Sequence, residues 1–267
     1  CVRTVAPQKA VVRQQLKLLH ADAVEHQQHD SACVAPARRH DLAQTLPGSH
    51  ATPRGQLSIT APVLFGELFV TPLLVEYLNQ QPAVQIKALL VDRVVSMVDE
   101  GIDVAIRIGN LPDSGLHALK VGEVRRVICA APSFLATHGR PTHPEQLREA
   151  QVVASASSQL LSEWHFVDGD NALSVRPQPR LVVTANQAAI NAACLGWGLT
   201  RVLSYQVADK VSKGELEIVL QDFEQPPLPI HVVYQGGRKI AAKVRTFVDF
   251  CAQRLAQDPA LNSPQQA

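Results

Sequence analysis

The chain is 267 residues long, with 46% hydrophobic residues, 18% charged residues and a formal net charge of +1. This length suits one large domain or two lobes. The near-zero net charge excludes a strongly basic protein that coats nucleic acid and a protein with a long acidic tail. No run of about 18 apolar residues and no short apolar segment near the start is present, so we expect a cytoplasmic protein without membrane contact.

The cysteines predict neither a disulfide framework nor a zinc site. They are widely spaced, odd in number and contain no Cys-x-x-Cys pair, which is typical of reduced thiols used as small apolar residues. The sequence also contains no cofactor motif, and we expect no cofactor and no metal. The five cysteines are Cys1, Cys33, Cys129, Cys194 and Cys251.

Residues 1–54 differ in composition from the rest. All aromatic residues lie at or after Phe65, and residues 1–54 are rich in Gln, His, Ala and Arg. We expect a poorly structured segment and linker here, although the cluster His20, His26, His29 and Asp30 leaves a metal site as the alternative interpretation. The chain begins at Cys1 and its single methionine is Met97, so we expect a fragment or an altered reading frame upstream.

From residue 56 the pattern changes to alternating strands and helices. Apolar alternation predicts a first strand near 57–60, and a helix over 64–80 follows, in which Pro72 must lie in a first turn or cause a kink. A second strand over 84–90 leads to Asp92, which we expect to cap a helix that ends at Gly101. With a third strand over 104–108, the order predicts an α/β fold with parallel pairing.

The second half continues this alternation less regularly. A capping-box pattern at Thr142–Glu145 predicts a helix to about Ala150, and the last helix has the clearest apolar stripe of the chain. After residue 257 the chain is a polar tail. The other predicted elements are an extended stretch over 117–131, helices over 133–138, 186–195, 204–213 and 240–255, a turn at 168–171, and strands over 152–156, 181–184, 199–203, 216–220 and 230–234.

These elements predict a binding cleft rather than a catalytic centre. No nucleophile elbow, phosphate-binding loop or His-Glu-x-x-His pattern occurs. Helices are expected to begin after strand ends near Pro62–Gly66, Asp92 and Asn186, and such N-termini meet in one crevice and favour an anion. The alternative is that each capping residue only satisfies its own helix.

Several collinear segments resemble the effector-binding domain of LysR-type transcriptional regulators. The resemblance covers about residues 53–256 and includes the Asp-Val-Ala-Ile-Arg-Ile-Gly run that ends at Gly109. It implies two Rossmann-like α/β lobes joined by two crossover strands, as in type 2 periplasmic binding proteins. The similar segments are Pro53–Gly66, Asp92–Gly109, Leu111–Ser114, Ala130–Pro132, Pro144–Leu147 and Asn186–Gly198, together with Trp164.

The resemblance also implies the extent of each lobe. Lobe one would contain residues 56–131 and 236–257, and lobe two residues 132–235. The crossover strands would lie near 127–131 and 232–235.

The resemblance further implies an effector site between the lobes. Many relatives have Ser or Thr where this chain has Leu64, so one hydroxyl donor for a carboxylate is missing, and Arg107 is either a compensating charge or a surface residue. The effector-binding positions implied by the resemblance are Pro62, Val63, Leu64, Phe65, Asp92, Arg93, Arg107, Gly109, Ser155, Ser157, Asn186 and Asn191.

Our first hypothesis is the sensing and dimerising module of a LysR-type regulator, which binds a small, anionic organic effector. The resemblance implies a homodimer or tetramer, and operator DNA as a partner only through a winged helix-turn-helix, whose helix pair is not visible in residues 1–52. The alternatives are a periplasmic-type solute-binding protein for a transporter and an enzyme on the same scaffold. The sequence offers no acid-base pair for an enzyme.

Overall fold

Two five-stranded sheets with flanking helices form the domain that begins after residue 50. The computed structural model describes residues 52–155, 163–236 and 240–262. The first 51 residues, including the histidine cluster and most of the linker, lie outside the described part, as does Ser157. The predicted α/β architecture of two lobes is confirmed.

The strands alternate with helices as the sequence pattern predicts. Helix α1 runs through Val63–Phe65, a π-helical turn Gly66–Val70, and Thr71–Gln80. The other helices are α2 (Pro132–His138), α3 (Asn186–Cys194), α4 (Ser204–Ser212), α5 (Ala242–Ala256) and α6 (Pro259–Asn262), with 3-10 turns at Pro144–Arg148 and Gln221–Phe223. The strands are β1 (Gly55–Ala61), β2 (Val84–Leu90), β3 (Val104–Ile108), β4 (Leu116–Val124), β5 (Arg126–Ala130), β6 (Val152–Ser155), β7 (Trp164–Asp168), β8 (Asn171–Val175), β9 (Leu181–Val183), β10 (Leu199–Leu203), β11 (Glu217–Val219) and β12 (Leu228–Gln235).

The first sheet has the strand order β2-β1-β3-β12-β4. Strand β1 pairs in parallel with both β2 and β3, which confirms the parallel pairing predicted from the strand-helix-strand order. Strand β12 returns from far along the chain and lies antiparallel between β3 and β4. The carboxyl ends of β1 and β2 therefore lie at one edge of the sheet, followed by α1 and by the segment that begins at Asp92.

The second sheet has the order β11-β5-β10-β6-β9. Strand β6 pairs in parallel with β9 and β10, whereas β5 is antiparallel to β10 and β11. A separate antiparallel hairpin, β7-β8, surrounds the predicted turn, where Gly169 adopts a φ of 57° that favours glycine. The sequence predicted this turn but not the two strands beside it.

The chain crosses between the sheets at different positions from those implied by the resemblance. The first crossing is at Arg125, because β4 belongs to the first sheet and β5 to the second. The second crossing lies between β11 and β12. The expected lobe bounds at 131 and 235 are thus corrected to about 125 and 220–227. Periodicity indicates a strand without indicating the sheet that receives its hydrogen bonds.

Helix α1 contains a π-helical turn, Gly66–Val70, directly before the segment that begins with Thr71 and Pro72. A proline cannot donate a backbone hydrogen bond, and its ring crowds the preceding turn. The Thr71 hydroxyl donates to the Gly66 carbonyl oxygen at 2.8 Å, in the same turn. Gly66 itself packs so closely against Leu90 that a Cβ would lie 2.4 Å from the Leu90 side chain. Pro72 therefore lies in the first turn of the Thr71–Gln80 segment, which is one of its two predicted placements.

The expected helix from Asp92 to Gly101 does not form, and turns and bends cover this stretch. Arg107 Nη2 donates to the Val95 carbonyl oxygen at 2.6 Å, and this bond takes an acceptor that a helix would use. Val95 and Met97 are buried, whereas Ser96 between them is exposed, and Val94 and Val98 on either side are 79% and 72% exposed. This alternation places one side of the turn in the core, so tertiary contacts prevail over the helical pattern.

The predicted apolar stripe of the last helix is confirmed on α5, where Val244, Phe247, Val248, Cys251 and Leu255 are buried. It packs on the first sheet and on α1, where the rings of Tyr77 and Phe247 meet edge to face at 5.1 Å. The Tyr77 hydroxyl also lies 2.7 Å from the Thr246 hydroxyl. The end of the domain thus closes the first lobe.

Candidate functional site

The first part of the cleft is the N-terminus of α1, directly after β1. Pro62 precedes the helix with an extended backbone, and the backbone N–H of Val63 has no partner within the helix. Asp92, which follows the neighbouring strand β2, accepts a hydrogen bond from this N–H through Oδ1 at 3.0 Å. The Asp92 carboxylate therefore caps the helix after β1 and does not cap a helix of its own.

The same carboxylate reaches the second lobe. Asn186 begins α3, and its Nδ2 donates to Asp92 Oδ2 at 3.4 Å. One side chain thus joins the two lobes, with a helix N-terminus on each side of it. A negative charge is electrostatically favourable there, because the partial positive charges of both helix ends face it.

The two arginines predicted for the cleft are engaged by neighbouring groups. Exposed Arg93 forms a two-point ion pair with Glu100, at 2.7 and 2.9 Å, which raises the pKa of Arg93 and lowers that of Glu100. Half-buried Arg107 donates to the Val95 carbonyl, and burial lowers its pKa. Both arginines therefore stabilise the turn between Asp92 and Gly101 through these contacts.

The remaining predicted positions fall into distinct environments. Leu64 and Phe65 are buried in the core, so only their backbone can face a ligand. Ser155 is buried at the end of β6, and exposed Asn191 accepts a hydrogen bond from Gln187 at 2.8 Å. Gly109 has a φ of 118°, in the region that favours glycine, and its N–H donates to the Pro229 carbonyl oxygen at 2.9 Å. The structure brings Val63, Asp92 and Asn186 together and leaves Asn191 apart from these hydrogen bonds.

Sequence reasoning missed Tyr205, which lies under the cleft. Its ring contacts Phe65 and Phe69 of the first lobe edge to face, with centroid distances of 5.4 and 5.8 Å. Burial raises the pKa of its hydroxyl, and the nearby charge of Asp92 acts in the same direction. Tyr205 is the second residue of the helix that follows β10, so attention to helix starts after strand ends, which pointed to Asn186, would also have found it.

The described part of the chain has neither a metal site nor a membrane span. Within residues 52–155, 163–236 and 240–262, no group of three or more His, Cys, Asp or Glu side chains could hold a metal ion. No helix in these same ranges is long and apolar enough to cross a bilayer. The cleft thus offers hydrogen bonds and helix N-termini as its means of holding a ligand.

A family comparison decides the relationship. Residues 50–256 match the LysR substrate binding domain. The chain belongs to the LysR substrate-binding domain family. The resemblance drawn from the sequence motifs is therefore confirmed, and the matched range covers the cleft and all of both sheets.

Individual LysR relatives agree with this assignment. An HTH-type transcriptional regulator of Xanthomonas campestris pv. campestris is 32% identical over 264 residues, which covers 94% of this chain and 75% of that regulator. Two solved structures share the fold. The regulatory domain of CrgA, a LysR-type regulator from Neisseria meningitidis, has a TM-score of 0.67 at 22% identity, covering 76% of this chain and 100% of that one. The regulatory domain of AphB from Vibrio vulnificus has a TM-score of 0.64 at 24% identity, covering 76% of this chain and 100% of that one.

Proposed function

We propose that this LysR-type module binds a small organic anion between its lobes and thereby controls DNA binding by the regulator. The observation that carries the proposal is the Asp92 carboxylate, held by the Val63 N–H and the Asn186 amide. Donors at two helix N-termini that hold a carboxylate of the protein are also suited to a carboxylate of a ligand. We therefore expect the carboxylate of the effector to bind where the Asp92 carboxylate lies.

An effector at this place competes with Asp92. Two carboxylates within a few ångströms repel each other strongly in a partly buried site, so Asp92 must move when an anion binds. Since Asp92 bonds to both lobes, its displacement breaks a contact that sets the angle between them. The module then has two states, and the effector shifts the population towards the one it binds more tightly.

The other effector contacts follow from the resemblance and the observed burial. Pro62, Val63, Leu64 and Phe65 would contribute backbone groups, and Asn186 its amide. Arg107 could reach a ligand only by releasing the Val95 carbonyl, and Arg93 only by leaving Glu100. We therefore rank these two arginines behind Asn186 as effector contacts. Gly109, Ser155, Ser157 and Asn191 stay proposed contacts of the same cleft.

We also propose that the module forms a homodimer or tetramer in the cytoplasm. Leu68 and Val75 lie seven residues apart on α1, so they share one helix face, and they are 53% and 56% exposed. Leu195, just after α3, is 86% exposed. The double variant Leu68→Glu, Val75→Glu should shift the sedimentation coefficient towards the monomer, and Lys87→Glu on strand β2 is the control. An unchanged coefficient in the double variant would contradict this surface.

A catalytic role has little support in the titratable groups. Burial raises the pKa of both the Cys129 and Cys251 thiols to about 12, so neither is a thiolate nucleophile at neutral pH. The family match favours a regulator over the solute-binding protein that was the alternative hypothesis. We therefore propose a sensor without enzymatic activity.

Calorimetry with a panel of small mono- and dicarboxylic acids tests the proposal. Asp92→Asn removes the competing charge but keeps a group that can cap α1, so an acid that binds the unmodified chain should bind this variant at least about tenfold more tightly. Asn186→Ala should weaken the same acid about tenfold, because it deletes a donor. Gln187→Ala, one residue further along α3, is the matched control and should change little.

Two results would overturn the anionic cleft. One is an acid whose affinity is the same in all four proteins, because it would then bind elsewhere. The other is the absence of any binding acid in both the unmodified chain and Asp92→Asn, together with a cationic or neutral binder that depends on Asn186.

A further inference from the structure

A second polar pocket lies in the second lobe, on the face of the sheet that carries the β7-β8 hairpin. Its volume is about 10 Å³, which is room for one water-sized group. Its polar walls come from four segments of the chain. The wall residues that matter are Arg126, His165, Arg201, Glu224 and Gln225.

Arg201 is the most buried charge of the pocket. Its guanidinium lies over the rings of Trp164 and Phe166, at 5.7 and 5.6 Å from their centroids. Nη2 donates to the His165 carbonyl oxygen at 3.1 Å, whereas Nη1 is buried and has no hydrogen-bond partner. Burial and the charge of Arg126 lower the pKa of Arg201 to about 10, so the side chain stays protonated at neutral pH. One donor of a buried cation is thus left unused.

Arg126 places a second cation on the same face. In the antiparallel register Arg201 lies opposite Ile128 and Arg126 opposite Leu203, so the two arginines are diagonal neighbours on adjacent strands. Burial lowers the pKa of Arg126, and its nearest polar partner is the neutral Oε1 of Gln225, at 3.4 Å from Nη1. The two guanidinium groups are therefore close enough for their positive charges to repel each other.

Within the described residues, neither Arg126 nor Arg201 forms an ion pair. The carboxylate on the pocket wall is Glu224, and Arg125 engages it at 3.0 and 3.2 Å. Because Glu224 and Arg125 neutralise each other, the pocket retains the charge of two cations. Buried charges are normally paired, and an unpaired one is costly.

We propose that this pocket binds a small monovalent anion, with Arg201 Nη1 and the Arg126 guanidinium as its donors. The size of the cavity limits the ligand to a single-atom anion such as chloride. The site is separate from the effector cleft, which is built around Asp92, and it does not depend on the identity of the effector.

The pocket lies next to both crossings, so an anion bound in it affects the hinge between the lobes. Arg126 is the first residue of β5, directly after the first crossing at Arg125, and Glu224 and Gln225 belong to the second crossing. An anion between these walls holds both crossings to the second lobe. We infer that the occupied pocket stiffens the hinge about which the lobes move.

Thermal unfolding in chloride tests the site. Chloride is exchanged for the bulky sulfonate MES at constant ionic strength, so that screening is unchanged while a small anion is removed. In the unmodified chain, raising chloride from about 1 mM to about 200 mM should raise Tm by about 2–4 °C. Formate in place of chloride tests the size limit, since its three heavy atoms should give a smaller rise in Tm at the same concentration.

Arg201→Met removes the buried cation while keeping an apolar chain against the two rings, and its Tm should no longer depend on chloride. Arg126→Met is the second variant and should reduce the dependence as well. Arg176→Met is the matched control, because Arg176 is 70% exposed and pairs with Glu163 in the same lobe. It should keep the full rise.

Bromide anomalous diffraction completes the test. A peak beside Arg201 Nη1, together with the chloride-dependent Tm, would support the proposal. A Tm that does not change with chloride or formate would overturn it, since water alone would then fill the pocket. A bromide peak without a change in Tm would also overturn it, as binding at crystal concentration only. Equal chloride dependence in Arg201→Met would show that the anion binds elsewhere.

Discussion

The two polar regions of this domain differ in how their charge is satisfied. In the cleft, the Asp92 carboxylate lies between two helix N-termini and receives hydrogen bonds from both lobes. In the pocket beside the hinge, which is lined by Arg126, Arg201 and Glu224, the two arginines have only neutral partners among the described residues, and Arg201 Nη1 has none. Both regions therefore favour an anion. In the cleft, the donors already hold a carboxylate of the protein, and in the pocket, two cations lack one.

The difference also separates two kinds of binding. An anion enters the cleft only by displacing a group of the protein, so binding there is coupled to a conformational change. An anion enters the hinge pocket without displacing a carboxylate, so binding there mainly stabilises the existing arrangement. The predictions below act on one region while leaving the other as an internal reference.

The largest effect should come from Phe65→Ala, which breaks the aromatic contact beneath the cleft. Phe65 is fully buried and packs on Phe69 at 4.9 Å and on Tyr205 at 5.4 Å. Its truncation should lower the free energy of unfolding by about 3–5 kcal/mol, measured by urea denaturation. Asn79→Ala, at an exposed position of the same helix, should change it little, and equal losses in both variants would contradict the core position of Phe65.

Asp92→Ala should have a smaller effect that is local to the cleft. It removes the cap of α1 and the bond to Asn186, and the loss of a helix cap costs about 1 kcal/mol. Asp99→Ala replaces an exposed carboxylate of the same turn and should be nearly neutral. If the two variants had the same stability, Asp92 would not be the cap that the 3.0 Å contact with the Val63 N–H indicates.

In the part of the chain that the structure describes, two buried side-chain nitrogens lack hydrogen-bond partners, and a pH series should distinguish them. Arg201 keeps its proton, whereas His231 Nδ1 belongs to a ring whose pKa is lowered by burial and by nearby Lys120. The unfolded chain has a histidine pKa of about 6.5 and therefore takes up a proton first as pH falls. Stability is fully present above this pH and is lost below it, until the pH passes the lower pKa of the folded state.

The variant His231→Gln removes this titration. Its urea midpoint should fall less between pH 7 and pH 5.5 than that of the unmodified chain. His138→Gln, at an exposed position of α2, is the control and should retain the original slope. An unchanged slope in His231→Gln would assign the acid sensitivity to another group.

The smallest effect should come from Arg93→Gln, which removes an exposed ion pair beside the cleft. The Arg93 side chain is 59% exposed, and exposed pairs contribute little because water and salt screen them. We expect no measurable change in Tm and an unchanged affinity for any acid that binds the cleft. A large loss of affinity would show that Arg93 contacts the ligand instead of only stabilising the turn.

Much of the fold could be predicted because local patterns agree with the tertiary structure in most elements. The strand-helix-strand order, the stripe of α5 and the first-turn position of Pro72 all depend on residues close together in sequence. The helix predicted from Asp92 to Gly101 was wrong because the Arg107 side chain, from a different element, takes the Val95 carbonyl. The lobe bounds were wrong because strand pairing depends on residues more than 100 positions apart, such as Tyr234 and Val104.

The candidate sites show the same division. Sequence alone determined the family, the two-lobed α/β class, and the helix starts near Pro62 and Asn186, because these are carried by ordered motifs and by residues at strand ends. Only the tertiary structure decided that Asp92 caps a helix of another element, that Tyr205 packs against Phe65, and that Arg126 and Arg201 share a pocket whose lining carboxylate, Glu224, is already paired with Arg125. The physical reason is that charge and burial depend on all neighbours in space, and a sequence records only the neighbours along the chain.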